Sequence, residues 1–246
     1  MKRQPVIAVK SVRDAEYQSL WEVLALEKIN LRAVFEKSGR AVFISHLDLL
    51  RTMQRAIKRS GIPVWYSQGF NPHIYLNFPL ALSLGVTSRT EFMDFAVTEE
   101  CDSNVILNKL NSVMPEGLRI ISIAEPVYAN KEIGFAEYSI EFKSENTSEY
   151  MLEALNKMMA MDTIEIDKRS KSKGTIKIDI KPHLDIFDKR AEDDSLIVGI
   201  RLPAGLTLNI NSNVFIDTFA EMCNIQFNSV YAERTKILCI NGAIFK

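Results

Sequence analysis

The apolar residues of this chain switch between a period of two and a period of about 3.6, in the same order twice, and this ordering limits the fold more than any composition figure does. Residues 31–37 alternate, with Leu31, Ala33 and Phe35 on one side and Arg32, Val34 and Glu36 on the other, as a half-buried strand does. Ser38-Gly39 then marks a turn, and residues 41–44 read as a short continuing strand. Ser45 is placed to cap a helix over residues 46–59, with Leu49, Leu50, Met53 and Ile57 as its buried stripe and Gly61 as its terminator. Residues 73–78 alternate again, Ile74, Leu76 and Phe78 inward and His73, Tyr75 and Asn77 outward. A strand at 91–97, a helix at 104–113 carrying Val105, Ile106, Leu107 and Leu110, and a strand at 118–124 complete the first round.

The order then recurs. Residues 137–143 alternate, 149–161 carry Met151, Leu152, Leu155 and Met158 at helical spacing, and 163–166 form a short extended piece. Residues 174–181 follow with Ile176, Ile178 and Ile180 inward, then a strand at 196–202, a helix at 213–222 capped by Ser212, and terminal strands over 229–240. Strand, helix, strand, strand, helix, strand is the ferredoxin-like order. The expected fold is therefore α+β, two tandem ferredoxin-like (βαββαβ) halves over residues 31–126 and 127–246. An N-terminal extension over residues 1–30 precedes them, helical because Tyr17, Leu20, Trp21, Leu24 and Lys28 recur at spacings of three and four.

With 246 residues, 47% apolar and 25% charged, the chain is an ordinary globular one, and its net charge of -1 excludes a protein that is basic all over. Attraction for nucleic acid must then come from clustering. From Leu49 to Thr90 there is no Asp or Glu, while Arg51, Arg55, Lys58, Arg59 and Arg89 fall inside. A second basic run holds Lys168, Arg169, Lys171, Lys173, Lys177 and Lys181 against the single acid Asp179. The first residues lack the uninterrupted apolar core of a secretory signal, and no run approaches the roughly 20 apolar residues that cross a bilayer, so the expected location is the cytoplasm, away from membranes.

Three short motifs stand in order: Phe43-Ile44-Ser45-His46-Leu47-Asp48, then Gly61-Ile62-Pro63-Val64 with Ser67-Gln68-Gly69-Phe70-Asn71-Pro72, then Leu80-Ala81-Leu82-Ser83-Leu84-Gly85-Val86. Over residues 31–240 this set resembles the radical-SAM-linked protein family, a bacterial domain of unknown function fused to or encoded beside cobalamin-type radical SAM proteins. Ser83 stands where relatives commonly carry proline. The resemblance implies a radical SAM protein as partner, and an RNA-side role through neighbouring genes for an RNA-processing ribonuclease and ribosomal proteins. The element order is also similar to that of the CRISPR RNA-processing endonucleases.

Cys101, Cys223 and Cys239 are too far apart in sequence for a radical SAM iron-sulfur motif or a zinc site, so the chain is expected to be the partner and not the radical enzyme, with no metal and no cofactor of its own. Nucleic-acid binding is assigned to Arg51, Arg55, Lys58 and Arg59 along one helical face, to Phe70 and Tyr75 as stacking rings, and to Lys171 and Lys173 in a basic loop read over Lys168 to Lys173 of the second half. A basic helix face is also what a merely solvated surface looks like, and a further alternative is a docking subunit of the radical SAM protein with no RNA contact. His46, Asp48 and His73 are the one candidate acid-base set, which would make the chain an RNA-processing or RNA-modifying enzyme in its own right. A histidine beside a helix cap more often satisfies local hydrogen bonds. The leading expectation is a binding module for RNA, of the tRNA class, that serves a separate radical SAM enzyme.

Overall fold

The computed structural model describes residues 28–170 and 174–246, and a long mixed sheet runs through it. Its first centre is β1 (Ile29–Lys37), which lies antiparallel between β3 (Thr87–Val97) and β4 (Leu118–Ala124). The expected alternation is present: Leu31, Ala33 and Phe35 are buried in one cluster with Met93, Phe95 and Val97 of β3. On that face lie two helices, α1 (His46–Ser60) and α2 (Ser103–Asn111), contributing Leu49, Met53, Ile57, Ile106 and Leu110.

The caps explain where these helices start and stop. The backbone N–H of Asp48 donates to Ser45 Oγ at 3.1 Å, and the Ser45 hydroxyl donates to Asp48 Oδ2 at 2.7 Å. Gly61 ends α1 at a φ of 65°, a left-handed geometry that glycine adopts without the Cβ clash other residues meet. Ala56, not Leu50, completes the buried stripe. Residues 39–43 are a 3₁₀ turn and not the expected strand. β1 already has a neighbour on each side, and the turn is fixed by Ala41 N donating to Ser38 O and Ser38 N donating to Gly117 O. In α2 the expected core position Val105 is exposed, and Asp102 supplies the cap.

The strand expected over residues 73–78 is reduced to β2 (Leu76–Asn77), paired with Phe95 and Asp94 of β3. Val64 bridges to Val97 of β3, and residues 66–74 fold out between them as a hairpin closed by the Tyr66–Ile74 bridge.

In the second half β5 (Ile133–Ser144) lies between β9 (Ser195–Pro203) and β10 (Phe227–Cys239), with β8 (Asp185–Glu192) on the outer edge. β8 escaped the periodicity because its residues show no buried face. Helices α3 (Ser148–Met159) and α4 (Ser212–Cys223) cover one side through Met151, Leu155, Met158, Phe215 and Phe219. Asn211, not Ser212, caps α4, accepting from Val214 N at 3.1 Å. β6 (Glu165–Ser170) and β7 (Gly174–Asp179) form a separate two-stranded ribbon, so Lys168 and Arg169 belong to a strand instead of a loop. Lys171, Lys173 and the helix expected in the N-terminal extension, up to residue 27, lie outside the described residues.

The halves are joined within the sheet, whose order is β4-β1-β3-β10-β5-β9-β8 with β2 on β3. β3 and β10 are parallel and pair only at Thr87–Glu233 and Ser88–Arg234. Beside this junction Arg234 donates to the carbonyls of Leu80 and Ala81 and forms a buried ion pair with Glu91, Nε to Oε1 2.8 Å. The Leu80–Val86 motif is therefore a seam between the halves. Arg32 makes a second tie, donating to Asp94 at 2.6 and 2.9 Å and to the carbonyls of Tyr128 and Lys246. Among the described residues no helix is long and apolar enough to cross a membrane.

Candidate nucleic-acid interface

The amphipathic period of α1 sends Leu49, Met53 and Ile57 into the core and leaves Arg51, Arg55, Lys58 and Arg59 exposed. Arg51 pairs at 3.4 Å with Asp48 of its own helix, both side chains more than half exposed, a contact worth at most about 1 kcal/mol. Arg59 donates to the Val113 carbonyl at 3.1 Å. Among the described residues no carboxylate from another element pairs with any of the four. Several cations elsewhere are engaged: Arg201 and Lys236 hold Glu137 at 2.7 and 3.0 Å, Lys143 holds Asp194 at 3.0 Å, and Arg190 binds Asp188 and Glu192.

The proposed rings part company. Phe70 stands fully exposed at the tip of the 66–74 hairpin, after Gly69 at a φ of 138°. Tyr75 is half-buried on the other side of the sheet from α1, because its neighbours Ile74 and Leu76 pack in the cluster that contains Leu49, Met53 and Ile57. Its ring meets Trp65 edge-on at 6.3 Å and carries the Lys28 ammonium 3.6 Å from its centroid, so one face is already taken. The α1 cations and Tyr75 do not share one surface.

The acid-base set is not assembled either. His46 packs edge-on against Phe78 at 5.3 Å, Asp48 serves the helix cap, and His73 Nδ1 lies 2.8 Å from Ser67 Oγ and 3.2 Å from the Asn71 carbonyl. Among the described residues no hydrogen bond links His46, Asp48 and His73 to one another, and no group of three or more His, Cys, Asp or Glu could hold a metal ion.

Two features of this region escaped the sequence reading. Lys37, buried at the end of β1, points its amine at the carbonyls of Val42 and Ile44, 3.5 and 3.4 Å away, beneath the Phe43–Asp48 motif. Burial, opposed by Glu91 and reinforced by Arg234, holds its pKa below the ordinary lysine value. The unfolded chain therefore binds more protons between the two pKa values, and stability should rise with pH across that alkaline window. Urea titrations from pH 8 to 10.5 should show the rise in the native chain and a flatter profile in Lys37→Met. The second feature is a set of exposed apolar side chains, Phe43, Leu47 and Leu84, in stretches where Ala41, Val42, Leu80 and Val86 are buried.

No curated protein matches the chain. Among solved structures it is similar to a chain in a crystal structure of a Cbf5-Nop10-Gar1 complex, at 9% identity and a TM-score of 0.42, covering 85% of this chain and 49% of that one. It thus spans about half the length of that structure's chain. An unknown protein from Galdieria sulphuraria is similar at 14% identity and a TM-score of 0.25, covering 85% of this chain and 99% of that one. Residues 30–213 match the model of a family described as an uncharacterized protein conserved in bacteria (DUF2344), and the chain belongs to that family.

Proposed function

We propose that this chain is a non-radical accessory protein that binds RNA, with tRNA the class to test first, and presents it to a separate radical SAM enzyme. The observation that carries the RNA part is the exposed stripe of Arg51, Arg55, Lys58 and Arg59, met by no carboxylate outside its own helix among the described residues. Guanidinium and ammonium groups repeated along a helix suit a phosphate backbone, and the exposed Phe70 ring offers a face on which an unpaired base can stack. Tyr75 leaves the proposal, because its ring is engaged on the far side of the sheet. The radical SAM part rests on the motif resemblance and on the separation of the three cysteines, which are free. The fold reading that goes with it is two ferredoxin-like units in tandem, supported by the strand orders β4-β1-β3-β2 and β10-β5-β9-β8. An enzyme acting alone has less support, since His46, Asp48 and His73 each sit in separate local contacts.

Fluorescence polarisation with labelled tRNA tests the RNA part. With two to four phosphates neutralised, the logarithm of the affinity should fall by about 1.4 to 3.6 per decade of salt, at roughly 0.7 to 0.9 per phosphate. The double substitution Arg55→Glu with Arg59→Glu should weaken binding more than tenfold and flatten that slope. Absent or salt-insensitive binding by the native chain would remove the RNA reading. For the second part, nucleoside mass spectrometry should show the radical SAM enzyme's product falling when this chain is withheld.

A further inference from the structure

The exposed apolar group lies on a built platform. Phe43, Leu47 and Leu84 are 71, 51 and 57% exposed, although each follows or precedes a residue that is fixed in place. Phe43 and Leu47 are four residues apart, on the 3₁₀ turn and the first turn of α1, and Leu84 is tied to them because Gly85 N donates to the Val42 carbonyl at 3.0 Å. From beneath, the Lys37 amine holds the Val42 and Ile44 carbonyls, and Phe78 wedges its ring between Phe35 at 5.9 Å and His46 at 5.3 Å. A stiff support that turns large apolar side chains toward water is a surface prepared for a partner.

The rim tells what kind of partner. Arg40 and Arg51 are exposed around it, and the one acid of the motif, Asp48, is occupied by Ser45 and Arg51. We infer that Phe43, Leu47 and Leu84 form a docking site for a protein segment that carries apolar side chains flanked by Asp or Glu. Charge complementarity favours an acidic flank. The centre favours protein over RNA: Phe43 is its single ring, and the two leucines beside it offer neither a face for a base to stack on nor a hydrogen bond for its edges. A second copy of the chain does not fit either, since a two-fold contact through this patch would set one cationic rim against another. The site shares Arg51 with the RNA reading, but it is carried by Phe43, Leu47 and Leu84, which that reading does not use.

The test places a photo-activated cross-linking amino acid at position 43 or 84 of the full chain in its own cells and sequences the cross-linked peptide. The expected product is a protein segment with apolar residues between Asp or Glu. Made synthetically, that peptide should bind the purified chain, lose at least about tenfold in affinity to Phe43→Ser with Leu84→Ser, and show a flatter salt dependence against Arg40→Glu. Both serine positions are solvent-facing, and the double variant should keep the native circular dichroism and its tRNA affinity within twofold. The Arg55 and Arg59 charge reversal should do the opposite, so the two readings fail separately. Cross-links only to RNA, only to another copy of the chain, or to nothing, or peptide binding that ignores the serine substitutions, would overturn the site.

Discussion

Replacing Glu91 with alanine is expected to lower the unfolding free energy by about 3–5 kcal/mol, the scale on which breaking one side of a buried ion pair is felt. Arg234 is 1% exposed and cannot reach water to recover its solvation. It would keep the Leu80 and Ala81 carbonyls but lose its only counter-charge among the described residues, with the buried Lys37 ammonium still nearby. Because Arg234 lies at the two-residue junction of β3 and β10, the loss should loosen the seam between the halves as well as the net stability. The double variant Glu91→Leu with Arg234→Met should recover much of the loss, since an apolar pair of similar volume removes both desolvation costs together. Urea unfolding at neutral pH measures both. A loss under about 1 kcal/mol for Glu91→Ala would mean that water reaches the pair and that the seam is held by packing alone.

Phe245→Ala should cost about 3–5 kcal/mol, as deletion of a fully buried ring does. Phe245 is 0% exposed, lies 5.0 Å from the Phe92 ring and 6.4 Å from the Tyr128 ring, and has the Arg32 guanidinium 4.3 Å from its centroid. Its backbone N–H donates to Ile237 at 2.9 Å, so the side chain is delivered from the second half onto β1 and β3 of the first. The loss should therefore appear in both halves at once. Fluorescence of Trp65, read in a Trp21→Phe background, reports the first half, where its ring meets Tyr75, while far-ultraviolet circular dichroism reports both. The two transitions should coincide in the native chain and shift together in the variant. Separate transitions, with only one moved, would show that the halves fold independently and that the aromatic contact is incidental.

Much of the fold was legible because its signals are local. Ser45 and Gly61 bound α1 where their side-chain chemistry says they should, and the alternation of Leu31, Ala33 and Phe35 is the alternation of burial. The misreadings occur where a neighbour decides. The run Ala41–Ile44 is apolar enough for a strand, yet β1 has no free side to offer it, and it closes into a turn that leaves Phe43 in water.

The candidate site divides in the same way. That Arg51, Arg55, Lys58 and Arg59 share one helical face follows from 3.6 residues per turn and needed nothing beyond the chain itself. Which surface Tyr75 occupies, that the Leu80–Val86 motif seals the junction, and that Lys37 and Glu91 lie buried beneath it were decided only by packing. Periodicity states which residues lie on the same side of an element. It does not state what covers that side, because the covering comes from residues distant in sequence, such as Arg234 on Glu91 across 143 positions.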